Sequence, residues 1–267
     1  MSNKIWDKIR LSSSNTDADD VGWELFHENS KLTEFSPVAL SNQEIVATMQ
    51  DNYESLEFKG YRAIDLPKSL TELNTSLEQA ISARVSTRDL VPSLITLQNV
   101  ATILHYAYGI TRDNKNTNYP RPFRIVPSGG ALYPLELFFH STCISDQLPG
   151  IYHYNPVMNN IRLLQEGDQS RRISESLVQK DIAYGASLII FITAMFNRSI
   201  FKYQDRGYRY ILLEAGHVAQ NINLVANGLE LGCVNLGGFF DRKLDDLLGL
   251  DGVTHSSIYI VAVGKKK

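Results

Sequence analysis

The chain has 267 residues, of which 43% are hydrophobic and 21% are charged, and its net charge is −3 at pH 7. This composition is typical of a globular protein with one large core, and the small negative charge provides no basic face for nucleic acid or an anionic membrane. The two cysteines, Cys143 and Cys233, lie far apart and lack metal-ligand spacing, so we expect free thiols and no bound metal.

The N-terminal segment mixes polar stretches with short apolar pieces. Residues 1–20 lack the apolar run of a secretory signal, and the longest apolar run, residues 188–196, is too short to cross a membrane. We therefore expect a cytoplasmic protein in which residues 1–65 form an N-terminal extension, packed on a main domain of residues 66–267.

Two helices are predicted early in the main domain. Thr75 and Glu78 have the spacing of a capping box and predict a short helix after them. The second helix is expected to begin after Thr96 and to end at Gly109. Its apolar stripe comprises Leu97, Val100, Ala101, Leu104, Ala107 and Tyr108.

The rest of the chain alternates strands with helices. Strands are predicted over residues 135–143, 188–196 and 256–264, with a hairpin over 150–164. Helices are predicted over 168–179, 207–231 and 243–248, with Gly232 capping the longest of them. This order predicts an α+β fold with helices on both faces of a mixed sheet.

The segment R-V-S-T-R alternates Arg84, Ser86 and Arg88, so in an extended backbone the three side chains point the same way. Two guanidinium groups and a hydroxyl make a good phosphate clamp, because arginine offers paired donors that stay charged. A solvated strand edge is the equally weighted alternative.

The segment P-S-G-G-A-L-Y-P contains Pro127, Ser128, Gly129 and Gly130. Adjacent glycines let the backbone approach a flat ligand and present its N–H groups, and the serine adds a hydroxyl. The pattern is neither a dinucleotide fingerprint nor a phosphate loop of nucleotide hydrolases, which favours a mononucleotide or ring system over a dinucleotide. A plain tight turn is the alternative.

The segment F-K-Y-Q-D-R-G-Y-R-Y follows the apolar run and places Lys202 beside Tyr203. An ammonium group can lower the pKa of a neighbouring phenol from about 10, so the two side chains are a plausible acid-base pair. Arg206 and Arg209 oppose the dipole at a helix start and require a partner, either structural or a ligand.

A second pair of glycines, Gly237 and Gly238, lies in N-L-G-G-F-F-D and could donate amide hydrogens to a ring edge, or simply form a turn. The six histidines show no metal-binding or catalytic spacing, so we expect structural or surface roles for them.

In this order, the segments R-V-S-T-R, P-S-G-G-A-L-Y-P, G-I-Y-H-Y-N-P, F-K-Y-Q-D-R-G-Y-R-Y and G-G-F-F-D resemble the FMN-dependent nitroreductase-like superfamily. They resemble most closely its SagB/McbC-type azoline dehydrogenases of thiazole and oxazole biosynthesis. The resemblance runs from about Arg84 to the C-terminus. Where the family pattern often has glycine after the Lys-Tyr pair, this chain has Gln204.

The resemblance implies a nitroreductase-like, largely antiparallel sheet flanked by helices, in a homodimer that binds FMN at the subunit interface. Lys202 and Tyr203 match the pair regarded as catalytic. The residues implied to bind FMN are Arg84, Ser86, Arg88 and Lys265 at the phosphate end, Pro127, Ser128, Gly129 and Gly130 from the other subunit, and Gly237 and Gly238 near the reactive ring edge.

The implied activity is oxidation of thiazoline or oxazoline rings in a peptide natural product, alongside a cyclodehydratase complex. A flavin supplies the hydride acceptor, while Lys202 or Tyr203 supplies the base. Two alternatives stay open: a nitroreductase-like enzyme that reduces a small molecule with NAD(P)H, and a non-catalytic subunit of a modifying complex.

Overall fold

The computed structural model describes residues 22–34, 40–51, 55–114 and 121–267. Its strands are β1 Ala63–Asp65, β2 Leu90–Val91, β3 Ile110–Arg112, β4 Phe123–Arg124, β5 Leu135–Ser141, β6 Gly150–Asn155, β7 Asn160–Glu166, β8 Leu188–Met195, β9 Gly232–Leu236 and β10 His255–Lys266. Its helices are α1 Gly22–Asn29, α2 Asn42–Asp51, α3 Leu77–Ser82, α4 Leu97–Tyr108, α5 Ser170–Ser176, α6 Ile182–Gly185, α7 Asn197–Tyr203, α8 Asp205–Gly228 and α9 Asp241–Leu248.

Eight strands form the main sheet, in the order β1-β7-β6-β5-β8-β10-β2, with β9 also paired to β10. Each pairing between these strands is antiparallel. Strands β3 and β4 form a separate two-stranded sheet. The predicted α+β class and the largely antiparallel sheet are therefore confirmed.

Strand β8 lies in the middle of this sheet, and its apolar side chains are covered on both faces. Its even-numbered residues from 188 to 194 lie on one face of the sheet and pack with α4 and α8. Ile189 and Phe191 face the opposite side and pack with α5 and α9. Burial on both faces explains why β8 reads as a continuous apolar run.

The structure confirms both predicted ends of α4 and corrects the predicted caps of α3 and α8. The Thr96 side chain accepts from Asn99 N and begins α4, which ends at Gly109 as expected. The capping box of α3 uses Ser76 with Gln79, one residue later than the predicted pair. The later position allows both reciprocal hydrogen bonds to form.

Gly232 does not cap the long helix. Helix α8 ends at Gly228, where the Leu229 and Leu231 amides close its last turn. Gly232 instead begins β9 and pairs with Gly264 of β10. Its position is set by the sheet rather than by the helix.

Cys143 and Cys233 are free thiols, as the sequence predicted. Over the described ranges, no helix combines the length and apolarity needed to span a membrane. Part of the predicted N-terminal extension lies on the main body, since Ile45 and Met49 of α2 pack against Leu132.

Candidate functional site

Lys202 and Tyr203 lie at the C-terminal end of α7, the short helix that follows β8. The backbone turns sharply at Gln204, which has φ 48° and ψ −139° before α8 begins. Residues other than glycine rarely adopt this conformation. A glycine would adopt it without strain, so the backbone of Gln204 is strained.

The segment Pro127–Pro134, called the glycine loop below, lies directly against this pair. Gly130 has φ +65°, and a Cβ added there would lie 2.6 Å from Tyr203 Oη and 2.9 Å from Lys202 Nζ. Lys202 Nζ is 5.1 Å from the centroid of the Tyr203 ring. The structure therefore joins two predicted groups of site residues, the glycines and the Lys-Tyr pair, within one chain.

Backbone strain is concentrated in the same loop. Ala131 and Tyr133 have φ values of 52° and 46°, in the left-handed region. The strain is held by specific contacts: Tyr133 N donates to Ser128 Oγ (2.9 Å), and Arg121 Nη1 donates to Leu132 O (2.8 Å). A strained loop fixed by such contacts is typical of a preorganised site.

Glu214 of α8 lies beside the candidate site, and the sequence analysis did not predict it as a site residue. It is buried, accepts from Tyr108 Oη at 2.6 Å and hydrogen-bonds the Ser128 side chain. Burial raises the pKa of this carboxyl to about 7, against the lowering effect of the Ser128 and Tyr108 hydrogen bonds. The available signal was an acidic residue on the apolar face of α8, between Ile211 and Val218.

The predicted phosphate clamp, Arg84–Arg88, is called the arginine segment below. It runs beside the start of β9, where Ser86 forms an isolated parallel β-bridge with Cys233. Thr87 N also donates a hydrogen bond to Cys233 O. Arg84 and Lys266 line one small cavity there together with Asn223, Asn227 and Cys233.

Two positive charges thus lie at the start of β9. Burial raises the pKa of the Cys233 thiol, while the nearby Arg84 and Lys266 charges act to lower it. Lys265, which the sequence suggested, adjoins Lys266 in strand β10, so its side chain points to the other face. The structure therefore groups Lys266 with the arginine segment.

Gly237 and Gly238 follow the end of β9. A Cβ at Gly237 would meet nothing within 4 Å, so this backbone faces open space. Gly238 O accepts from Val178 N at 3.0 Å, which fixes the turn against the segment after α5. One glycine is thus available to a ligand, whereas the other is partly used in packing.

Arg206 and Arg209 have structural partners. Arg206 Nη1 donates to Ser30 O (3.2 Å), and Arg209 Nη2 donates to His27 O (2.5 Å). These carbonyls lie at the C-terminal end of α1, where the helix dipole favours cations. The polar segment therefore divides into Lys202 and Tyr203 at the glycine loop and two arginines that hold α1.

The glycine loop and the arginine segment lie far apart within one chain. At one end of β8, Ala194 pairs with Leu135, which lies next to the glycine loop. At the other end, Leu188 pairs with Val263 of β10, and Val263 also pairs with Cys233, which lies beside the arginine segment. At about 3.3 Å per residue, this separates the two groups by roughly 20 Å along the sheet.

Helix α8 gives the same separation. Its Tyr210 lies against Gly129, where an added Cβ would be 3.2 Å from the tyrosine ring, while its Asn223 accepts from Cys233 Sγ at 2.9 Å. Thirteen residues at about 1.5 Å each again correspond to roughly 20 Å.

Comparisons with known proteins agree with this fold. A model described as the nitroreductase family matches residues 81–265. A nitroreductase-family protein of Methanocaldococcus jannaschii, MJ1384, is 35% identical over 191 residues, which cover 71% of this chain and 91% of that protein. The microcin B17-processing protein McbC of Escherichia coli is 31% identical over 160 residues, or 54% of each chain, so this chain spans about half the length of that relative.

Among solved structures, a chain of the E. coli microcin synthetase McbBCD complex superposes with a TM-score of 0.60 and 23% identity, covering 92% of both chains. This similarity extends beyond the residues matched in sequence and shows a shared fold. The family model covers well over half of the chain. The chain therefore belongs to the nitroreductase family.

Proposed function

We propose that this chain is an FMN-dependent dehydrogenase that oxidises thiazoline or oxazoline rings of a peptide to thiazole or oxazole. The observation that carries the proposal is the meeting of Lys202, Tyr203 and Gly130 in a chain similar to McbC. Because Gly130 has no side chain, Tyr203 Oη and Lys202 Nζ approach the backbone of the glycine loop closely, and both atoms can accept a proton there.

The residues present fit an FMN molecule. Arg84 and Lys266 lie close together beside the start of β9 and suit a phosphate, because both are cations with several hydrogen-bond donors. The open backbone of Gly237 provides a surface that a ring system can approach closely, whereas Tyr210 lies against Gly129 and the Lys-Tyr pair lies against Gly130. When bound, FMN would supply the acceptor for a hydride.

We further propose that two copies of the chain complete the site. The arginine segment and the glycine loop lie about 20 Å apart along α8, on its C-terminal and N-terminal halves. Antiparallel packing of two α8 helices about a two-fold axis would bring the arginine segment of one copy to the glycine loop of the other.

The exposed face of α8 supports this pairing. Tyr208, Leu212 and Leu213 expose 38%, 43% and 61% of their surface, although they are large apolar residues. Gly216 follows on this face, close to the midpoint of Asp205–Gly228, and a Cβ there would meet nothing within 4 Å. An apolar stripe that ends at a glycine near the middle of the helix permits two helices to approach closely there.

The chemistry assigned to this chain is orientation and proton transfer. Aromatising an azoline ring removes a proton from one ring carbon and a hydride from its neighbour. Tyr203 Oη or Lys202 Nζ takes the proton, and the ammonium form of Lys202 stabilises a tyrosinate by its positive charge. The fixed glycine loop holds the reacting ring at a constant distance from both atoms.

The partners follow from the same proposal. McbC is a microcin-processing protein, and its synthetase was solved as the McbBCD complex with truncated pro-MccB17 bound. We propose that this chain likewise receives an azoline-bearing peptide and works with a cyclodehydratase complex.

The test is an anaerobic absorbance titration of the purified protein with a synthetic peptide that carries one thiazoline. We expect a yellow flavin band that bleaches stoichiometrically in the wild type, and that bleaches far more slowly in Lys202→Ala at equal flavin content. A flavin band that stays unchanged would reject azoline oxidation, and colourless protein would favour a non-catalytic subunit.

A second candidate is reduction of a small acceptor with NAD(P)H. The archaeal nitroreductase-family relative favours it, because the similarity covers 91% of that protein. Anaerobic bleaching by NADH or NADPH, followed by rapid turnover of a nitroaromatic compound, would support this activity over azoline oxidation.

A further inference from the structure

Helix α7 carries Lys202 and Tyr203 but has no fully buried apolar side chain. Its buried residues are Arg198 and Ser199. Phe201 and Tyr203 are only partly buried, against α2 and Leu132. A helix of seven residues with such shallow apolar packing requires a polar anchor to hold a fixed position.

Arg198 supplies that anchor through an ion pair with Glu136 of β5. Arg198 Nη1 lies 2.6 Å from Glu136 Oε1, and the two side chains are only 2% and 1% exposed. A buried charge is stable only when it is paired and hydrogen-bonded, so this contact has little freedom to rearrange.

Glu136 is itself fixed from three other sides. Its Oε1 accepts from Leu56 N (3.1 Å), and its Oε2 accepts from Ser55 Oγ (3.1 Å) and contacts His153 Nε2 (2.7 Å). Burial alone would raise the pKa of Glu136, but the Arg198 charge and the His153 hydrogen bond outweigh it and hold the pKa well below its usual range. The carboxylate therefore stays ionised and fully bonded.

The ion pair joins the two segments that meet at the candidate site. Arg198 lies one helical turn before Lys202, and Glu136 lies two residues after Pro134, which ends the glycine loop. We propose that Arg198 and Glu136 are positioning residues, which set the distance from Lys202 and Tyr203 to the glycine loop. This inference rests on the proposed catalytic role of the Lys-Tyr pair.

The test compares Arg198→Lys and Glu136→Gln with the wild type. Lysine keeps the charge of Arg198 but not its planar reach, and glutamine keeps the shape of Glu136 but not its charge. The control is Arg171→Lys, since Arg171 forms an exposed pair with Glu175 on α5.

The first measurement is the anaerobic bleaching rate per bound flavin as a function of thiazoline peptide concentration. We expect both site variants to lose ~10-fold or more in maximal rate, since small misplacements of reacting groups are costly, while the half-saturating peptide concentration changes little. A purely structural role would lower the folded fraction and the flavin content and leave the rate per flavin unchanged, which would overturn the proposal.

The second measurement does not depend on any substrate. After reductive methylation with ¹³C-formaldehyde, the resonance of Lys202 is identified by its absence in Lys202→Arg. We expect this resonance to shift towards the position of exposed lysines in both site variants and to stay in place in the Arg171→Lys control. If the wild-type flavin fails to bleach, the shift of the Lys202 resonance still tests the positioning role by itself. A Lys202 resonance that stays in place in both site variants would overturn the proposal.

Discussion

Replacing Gly130 with alanine tests the contact between the glycine loop and the Lys-Tyr pair. The new Cβ would lie 2.6 Å from Tyr203 Oη, and ordinary contact begins at 3.4 Å. The phenol oxygen must therefore retreat by about 0.8 Å, and Lys202 Nζ, at 2.9 Å, by about 0.5 Å. Both atoms end flexible side chains, so we expect them to move rather than to unfold the protein.

Two effects of this substitution can be separated. The positive φ of Gly130 costs an alanine roughly 1–2 kcal/mol of stability. Misplacement of reacting atoms by almost 1 Å costs up to ~100-fold in rate, which corresponds to about 2.7 kcal/mol of barrier. We therefore expect a modest loss of stability and a rate decrease of ~10-fold to ~100-fold.

Gly249→Ala is the matched control. Gly249 has φ +71°, close to that of Gly130, but a Cβ there would meet nothing within 4 Å. Urea unfolding should give both variants a similar loss of unfolding free energy, while anaerobic bleaching by the thiazoline peptide should slow only in Gly130→Ala. Equal bleaching rates in the two variants would refute the reasoning.

Three further predictions concern Glu214, Gln204 and the exposed face of α8. Because burial raises the pKa of Glu214 from 4.5 to about 7, the folded state binds an extra proton between these values. The unfolding free energy should therefore fall as pH rises through this window, by on the order of 3 kcal/mol. Glu214→Gln should remove that part of the pH dependence, which urea titrations at pH 5 and pH 8 would measure. If the difference in unfolding free energy between the two pH values stays as in the wild type, Glu214 is not its source. Gln204→Gly should relieve backbone strain and raise the unfolding free energy by roughly 1 kcal/mol, whereas Gln220→Gly, within α8, should lower it by about as much; a loss in both would show that Gln204 is unstrained. Leu213→Glu should convert a dimer to monomers in analytical ultracentrifugation and reduce flavin retention, and a dimer that persists would exclude α8 as the interface.

The sequence predicted the fold class because local patterns and the final packing agree. Strand β8 reads as a continuous apolar run because helices cover both of its faces. The Thr96 cap and the Gly109 end of α4 were likewise predictable, since capping depends on neighbouring residues. Thr75 and Ser76 are both suitable N-caps for α3, and only the backbone path decided that Ser76 is the cap.

The candidate site was predictable in its residue types but not in its arrangement. The glycine loop and the Lys-Tyr pair are marked in sequence by unusual residues, and the structure brings them into contact. The roles of Arg206 and Arg209 were undecidable from sequence, because their partners are backbone carbonyls at the C-terminal end of α1, more than a hundred residues earlier.

The sequence by itself predicted the central strands, the longest helices and the short segments that are candidates for ligand binding, because these depend on local propensity and side-chain type. The tertiary structure alone decided that Glu214 lies beside the glycine loop and that Arg198 anchors α7 to Glu136. It also placed the arginine segment about 20 Å from the glycine loop. Ion pairing and distance between remote segments are properties of the packed chain, and no local pattern encodes them.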